Sequence, residues 1–328
     1  MRRELIFKAL DQQPVSRVPT GFWFHFLPDA ETGDWRENSR LLDQNVAGHQ
    51  AYIRAYRPEL VKIMSDGFFF YPTPGLFQPL DLALVSAIEP SRDWIRAQVS
   101  LVKRVKGGRE DAAYFYNIFS PITSLRFKLG LKRLTQFHAA QPEAFVKALD
   151  RISLGLSRLA RAVVSEGQAD GIYLSVQNPD QSYFSPDFCR NSLAAGEKAI
   201  LKAAEEVGGR NILHICGYHG VKNHLPLYVD YPFAAVNWAV DLEDVSLAAG
   251  QSLFGGRTVI GGFKNGPNDL LAKGSKEDIK AKARELIRKT GTTGFILGAD
   301  CTLPADIDLA RLEWVREAGA EAIRFGGR

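Results

Sequence analysis

The sequence predicts a protein of the α/β class that folds as a single (β/α)8 barrel over residues 1–328, with extra helices near its N-terminus. Its length of 328 residues suits one large barrel. Short apolar runs alternate with longer amphipathic stretches along the whole chain. No internal repeat and no linker rich in Ser, Gly or Pro divides it. These observations favour one domain.

Eight runs of apolar, aromatic and β-branched residues have the composition of buried parallel strands. They are short, and most end in polar residues or glycine. We expect them at residues 18–24, 60–64, 113–119, 171–176, 211–215, 233–240, 258–261 and 294–298.

Four amphipathic stretches between or after these runs predict helices. Two of them carry start signals. Proline follows Ser185, and an acidic residue stands three positions after Ser275, as in a capping box. The predicted helices span residues 142–166, 185–207, 275–291 and 307–317.

The competing fold is a doubly wound open sheet. That fold would carry a Gly-rich phosphate turn close to its first strand. The nearest candidate, Gly255 and Gly256, lies late in the chain and precedes a strand. The barrel is therefore the favoured architecture.

Composition and charge exclude several classes of protein. Hydrophobic residues make up 45% of the chain and charged residues 24%, which excludes a disordered or low-complexity protein. The 41 Lys and Arg residues only slightly outnumber the 37 Asp and Glu residues, and no basic block of the kind that binds nucleic acid occurs. No apolar run approaches the ~20 residues needed to span a bilayer. We expect neither a nucleic-acid partner nor a membrane span.

The start of the chain and its cysteines indicate a cytoplasmic protein. The N-terminus is charged and helical in pattern, and no apolar signal core follows it. The three cysteines, Cys189, Cys216 and Cys301, are too few and too far apart for a disulfide framework. Cys189 lies among apolar residues at a helix start and is expected in the core.

The sharpest signal for chemistry is the pair His214 and Cys216 at the end of the fifth predicted strand. Residues i and i+2 of a strand point to the same side, and barrel enzymes keep their active sites at the carboxyl ends of strands. Cys301 follows the eighth strand, so barrel closure would bring it to the same mouth. One His and two Cys ligands with a fourth position open are typical of catalytic zinc. The alternative is that both cysteines are small buried apolar residues.

The chain resembles the uroporphyrinogen decarboxylase superfamily over nearly its full length, from residues 4–8 and 15–19 to the segment 298–304. Within it, the His-x-Cys pair followed by a distant Cys resembles the zinc-dependent methyltransferases, which include the methylcobalamin:coenzyme M methyltransferases. The resemblance implies that His214, Cys216 and Cys301 bind Zn²⁺.

The resemblance also implies a reaction and its partners. The enzyme would move a methyl group between a corrinoid (methylcobalamin) and a zinc-activated thiol. The other substrate would be a small thiol or a methylated molecule, and the corrinoid could be carried on a small partner protein. The oligomeric state is expected to be monomer or homodimer.

Two other functions are left open by the sequence. The first is a carboxy-lyase of the uroporphyrinogen decarboxylase type, favoured by Asp66, which stands where that family carries its essential Asp. Against it, the segment 20–26 is aromatic and lacks the arginines that grip substrate carboxylates. The second is a barrel that binds a tetrapyrrole or corrinoid without turnover.

Polar residues near strand ends complete the candidate site, because this face of a barrel carries function. Asp66, His25 and Tyr218 are the catalytic candidates, although Asp66 could instead cap the turn after its strand. Three further histidines, His49, His138 and His224, are expected at the surface. The candidates for cofactor binding are Asn178, Asn237 and Asp300.

Overall fold

The computed structural model describes residues 1–27, 39–67, 69–73, 82, 85–89, 91–177 and 183–325. Within them, eight parallel strands form one sheet in the order β1-β8-β7-β6-β5-β4-β3-β2, wound into a nearly closed barrel. This confirms the predicted barrel and excludes the doubly wound sheet. The strands are β1 Thr20–Gly21, β2 Leu60–Ile63, β3 Ala113–Phe119, β4 Gly171–Val176, β5 Ile212–Ile215, β6 Ala235–Trp238, β7 Thr258–Phe263 and β8 Phe295–Ala299.

Helices follow the strands and cover the outside of the barrel. A short π-helical turn, Cys189–Leu193, joins α6 to α7. In the described part of the chain, no helix is both long and apolar enough to cross a bilayer. The helices are α1 Arg2–Leu10, α2 Ser39–Tyr56, α3 Asp93–Lys106, α4 Pro121–Ala140, α5 Pro142–Ser165, α6 Pro186–Phe188, α7 Ala194–Glu205, α8 Val240–Glu243, α9 Leu247–Leu253, α10 Leu270–Lys273, α11 Lys276–Thr290 and α12 Ala310–Phe325.

The predicted helix starts are correct at α6 and α11 and wrong at α12. The side-chain oxygens of Ser185 and Ser275 accept backbone N–H groups three residues later, as capping predicts. The last helix begins at Ala310 rather than at position 307. Asp308 explains the shift, because its carboxylate accepts the Ala310 N–H at 2.9 Å and caps the helix there.

Helix α1 plugs the amino-terminal end of the barrel. Its apolar residues Leu5, Ile6 and Leu10 belong to the same buried cluster as the inward-facing residues that begin several strands, such as Leu60 and Ala113. A larger, separate cluster lies between the strands and the outer helices. With its amino-terminal end filled, the barrel can form a site only at the carboxyl ends of its strands.

The two end strands of the sheet, β1 and β2, are joined by a side chain rather than by a ladder. Glu59, fully buried just before β2, accepts the backbone N–H of Thr20 at 3.0 Å and also bonds to the Thr20 hydroxyl. The same carboxylate pairs with Arg17 and with Arg316 of α12. Glu59 therefore closes the seam of the barrel and anchors the last helix to it.

We expect Glu59→Gln to lower the free energy of unfolding by about 3 kcal/mol, because it leaves the partly buried Arg17 without its counter-charge and leaves Arg316 with Glu313 as its one carboxylate partner among the described residues. Glu89→Gln is the matched control. It removes an exposed partner of Arg158 and should cost about 0.5 kcal/mol or less. Urea unfolding of both variants measures the difference, and equal losses would show that the seam does not depend on this carboxylate.

His49 is buried, so its predicted position at the surface is wrong. Its ring packs on Phe26 with centroids 4.0 Å apart. Nδ1–H donates to the Asn45 carbonyl at 2.9 Å, and Nε2 accepts the Met64 N–H at 3.0 Å. A neutral imidazole thus ties α2 to the end of β2. His224 is exposed as predicted.

Burial lowers the pKa of His49 to about 4, whereas an unfolded His titrates near ~6.5. The neutral ring therefore stabilises the fold fully above pH ~6.5, and this contribution is lost as the pH falls toward 4. Relative to His49→Gln, the wild type should lose on the order of 3 kcal/mol of unfolding free energy between pH 7 and 4.

Urea unfolding at several pH values checks this dependence, with His224→Gln as the control for an exposed histidine. Parallel pH profiles for the wild type and His49→Gln would contradict it.

Candidate metal centre

His214 and Cys216 point into the mouth of the barrel because the strand geometry of β5 continues past its last residue. The Cys216 N–H donates to the Val176 carbonyl of β4 at 2.9 Å, which extends the parallel ladder. His214 and Cys216 therefore keep the i, i+2 relation that places both side chains on one face. Cys301 follows β8, and the curvature of the sheet brings it across the mouth to this pair.

The three side chains have the spacing of a metal site. Their ligand atoms lie within 4.8 Å of one another. The Cys216 and Cys301 sulfurs are 3.9 Å apart, and the Cys301 sulfur is 3.6 Å from His214 Nε2. Tetrahedral zinc with ordinary bond lengths separates two sulfurs by about 3.8 Å and a sulfur from a nitrogen by about 3.6 Å. A disulfide would need sulfurs about 2.05 Å apart.

The two thiols have different acidities. The Cys216 thiol donates to the Cys301 sulfur, which lowers the pKa of Cys301, and the nearby Lys62 ammonium acts in the same direction. The same hydrogen bond and burial raise the pKa of Cys216. Cys301 is therefore the first thiolate that the pair offers to a cation.

Asn237 fixes which nitrogen of His214 is free to bind a metal. Its Nδ2 donates to the carbonyls of Ile260 and Ala299 at 2.9 and 3.1 Å. Its Oδ1 must then accept from Nδ1–H of His214. Nε2 is left with its lone pair directed at the cavity, as a ligating histidine requires. Asn237 itself is fully buried behind the imidazole. The sequence predicted that it binds a cofactor; in the structure it contacts the candidate metal ligand His214.

Asp300, the second candidate for cofactor binding, is engaged in contacts beside Cys301. Asp300 is buried, and burial raises its pKa to about 7. Its carboxylate accepts the Val240 N–H at 3.3 Å, and its backbone N–H donates to Phe263 at 2.8 Å. It thus holds the segment that carries Cys301 against α8. Asn178 lies outside the described residues.

A cavity of about 360 Å³ opens in front of the metal group. It contains all three catalytic candidates, His25, Asp66 and Tyr218. A second cavity of about 570 Å³ adjoins the first, and His25 and Leu27 line both of them. The first cavity is also lined by Leu27, Lys62, Met64, Gly67, Phe70, Asn117, Phe119, Phe127, Ser175, Gln177 and Thr302.

Asp66 holds His25 in place. The two side chains bond through Asp66 Oδ1 and His25 Nδ1 at 2.7 Å. Asp66 Oδ2 accepts from the Phe26 N–H at 2.9 Å and from Asn45 Nδ2 at 2.6 Å. The Asp66 backbone has φ +42°, an uncommon conformation for a residue other than glycine. The Asp66 carboxylate is occupied by these bonds. Asp66 therefore acts on the cavity by orienting the half-exposed imidazole of His25.

Gln177, which follows β4, and Arg126 of α4 form a chain of contacts beside Cys216. Gln177 Nε2 lies 3.8 Å from the Cys216 sulfur, and Gln177 Oε1 accepts from Arg126 of α4. The Arg126 guanidinium also stacks over the ring of Tyr218, 4.5 Å from its centroid, at the mouth of the cavity. The sequence gives no signal for Arg126, because the residue lies outside every predicted strand and helix.

Lys62 is a second residue that sequence reasoning missed. It lies in the middle of β2 and is buried, and burial lowers its pKa to about 8. A signal for it exists in the sequence, because a lysine interrupts the apolar run 60–64. Lysine is almost never buried inside a barrel without a partner or a function.

Comparison with known proteins identifies relatives of this fold. The family model described as "Uroporphyrinogen decarboxylase (URO-D)" matches residues 73–322. A solved methyltransferase from Methanosarcina mazei is 19% identical, with a TM-score of 0.75 and 98% of each chain covered. A B12-independent methionine synthase from Shewanella sp. W3-18-1 is 13% identical, with a TM-score of 0.62, and covers 94% of this chain and 98% of its own. No curated protein sequence matches.

If His214 binds a metal, Asn237→Leu should weaken zinc binding by about 10- to 100-fold, because it releases the ring orientation that Asn237 imposes. Chelator competition measures the zinc affinity. Asn211→Leu is the matched control, since Asn211 is also buried but sits at the opposite end of β5. An unchanged zinc affinity for Asn237→Leu would contradict the assigned role.

Proposed function

The chain belongs to the uroporphyrinogen decarboxylase family, and we propose that within it the protein is a zinc-dependent methyltransferase that moves a methyl group between a corrinoid and a thiol. The observation that carries this proposal is the convergence of one imidazole nitrogen and two sulfurs at separations of 3.6 and 3.9 Å. The likeness to a methyltransferase fold supports it.

The donor set suits thiol chemistry. A free thiol is a poor nucleophile at neutral pH because its pKa lies near ~8.5. Bound Zn²⁺ would supply a Lewis acid that keeps a substrate thiol in its thiolate form. Two cysteine thiolates neutralise the metal charge, so the substrate sulfur stays electron-rich. Zinc hydrolases more often use histidine and carboxylate ligands.

Different residues of the cavity would bind the metal, accept the proton and exclude water. His214, Cys216 and Cys301 would hold the metal and leave one position open toward the cavity. His25 Nε2 would accept the proton that the substrate thiol releases on binding, while Asp66 keeps the imidazole oriented. The aromatic side chains on the cavity wall, Phe70, Phe119 and Phe127, would exclude water from the reacting sulfur.

The size of the cavity bears on the methyl donor. A volume of about 360 Å³ suits a small molecule. A corrinoid would have to present its methyl group from outside the mouth, either free or on a docked partner protein. The corrinoid and its carrier rest on the family resemblance. The methionine synthase of similar fold is described as B12-independent.

The decarboxylase alternative keeps one supporting feature, which is the position of Asp66 in the cavity. Among the described residues that line this cavity there is no arginine, whereas a substrate with many carboxylates needs several cationic donors. Incubation of the pure protein with uroporphyrinogen tests this alternative. Formation of coproporphyrinogen would replace the methyltransferase proposal.

Purified protein should carry about one zinc per chain, and Cys216→Ser and Cys301→Ser should each lose most of it. Cys189→Ser is the matched control, because Cys189 is buried in the outer core far from the centre and should leave the metal in place. Elemental analysis gives the zinc content, and an assay with methylcobalamin and a panel of thiols gives the activity.

Both cysteine variants at the centre should also lose methyl transfer. Full zinc retention in both of them would overturn the ligand assignment.

A further inference from the structure

Lys62 is a buried cation, and the anionic groups that act on it are the thiolates of Cys301 and Cys216. Its side chain lines the cavity, and it forms no hydrogen bond or ion pair with any residue that the structure describes. Its ammonium nitrogen lies over two aromatic rings, 4.1 Å from the centroid of Tyr173 and 5.0 Å from that of Trp23. Cation–π contacts offset only part of the cost of burying a charge. The thiolates of Cys216 and Cys301 would neutralise a bound Zn²⁺, so the charge of Lys62 then calls for a further anion in the cavity.

A second polar group of the same wall also lacks a partner. Asn117 is buried and lines the cavity, and its Nδ2 donates to no described residue, while its Oδ1 accepts from Ser175 at 2.7 Å. Lys62 and Asn117 lie on the neighbouring strands β2 and β3. Both therefore offer unused donors to whatever enters the cavity beside the metal group.

Packed aromatic rings fix the position of Lys62 relative to the metal group. Trp23 and Tyr173 each lie 5.9 Å from the ring of His214, measured between centroids. The Lys62 ammonium lies over the same two rings. Trp23 and Tyr173 thus pack against both Lys62 and the candidate ligand His214. This shared packing holds the Lys62 ammonium near the metal group.

We propose that Lys62 is the fixed positive charge that makes the open position of the metal centre bind a thiolate in preference to a neutral ligand. This inference rests on the proposed function. Zn²⁺ with two cysteine thiolates carries no net charge, and a third thiolate brings the centre to one negative charge. Lys62 restores neutrality in surroundings where charges interact strongly.

The binding step balances without a further reactant. When a substrate thiol binds, its S–H bond would break, the sulfur would keep the electron pair as a thiolate, and the proton would pass to His25 Nε2. Arg126 is not among the described residues that line the cavity, and its guanidinium bonds to Gln177 and stacks on the ring of Tyr218 at the mouth.

Cobalt-substituted protein provides a readout that does not depend on turnover. Metal-free protein is loaded with Co²⁺, and its visible spectrum is followed as ligands are added. 2-Mercaptoethanol, which binds as its thiolate, and thiocyanate are the anionic ligands, and imidazole is the neutral one. Lys62→Met should bind both anionic ligands at least about tenfold more weakly than the wild type, with imidazole binding unchanged. Lys132→Met, which removes an exposed charge on α4, should match the wild type.

Each outcome bears on a different claim. Equal weakening of all three ligands in Lys62→Met, or no weakening of the anions, would overturn the role of Lys62 alone. Lys62→Gln provides a second uncharged variant if Lys62→Met does not hold cobalt. A wild type that forms no cobalt complex would instead overturn the metal centre and the proposed function with it.

Discussion

Closure of the barrel is the constraint on which the rest of this structure depends. Hydrogen-bonded ladders run from β1 through β8 to β2, but no backbone ladder joins the two end strands, β1 and β2, to each other. The buried carboxylate of Glu59 bridges them by accepting the Thr20 N–H, while Arg17 and Arg316 balance its charge. Because the sheet is closed in this way, residues that follow β5 and β8 meet across one mouth. The plug formed by α1 at the opposite end leaves that mouth as the place for a site.

Much of the fold and part of the site could be predicted from the sequence, because both depend on local patterns. Composition located every strand, and the alternation of a strand placed His214 and Cys216 on one face. The burial of His49 could not be predicted, since its two nitrogens are satisfied by backbone groups of α2 and β2 that only tertiary packing brings together. The same limit applies to Asn237. An asparagine in a strand does not show whether it faces a cavity or stands behind a ligand.

Different groups lie behind the candidate ligands and in front of them. Behind the candidate ligands, Asn237 sets the tautomer of His214 through two backbone carbonyls, so the imidazole is oriented before any metal arrives. In front of them, the cavity is lined by His25, the proposed proton acceptor, and by the buried cation Lys62. The centre can therefore be understood as prepared for an anionic sulfur ligand whose proton has somewhere to go. This arrangement distinguishes it from the arginine-lined pocket expected of a decarboxylase.

The most direct test of this account is zinc K-edge X-ray absorption of the purified protein before and after addition of a small thiol. The account predicts two sulfur ligands at about 2.3 Å with nitrogen or oxygen at about 2.0 Å completing the coordination. Addition of the thiol should raise the sulfur count from two to three. A coordination shell without sulfur, or a sulfur count that the thiol leaves at two, would contradict a centre built to bind and activate a thiol.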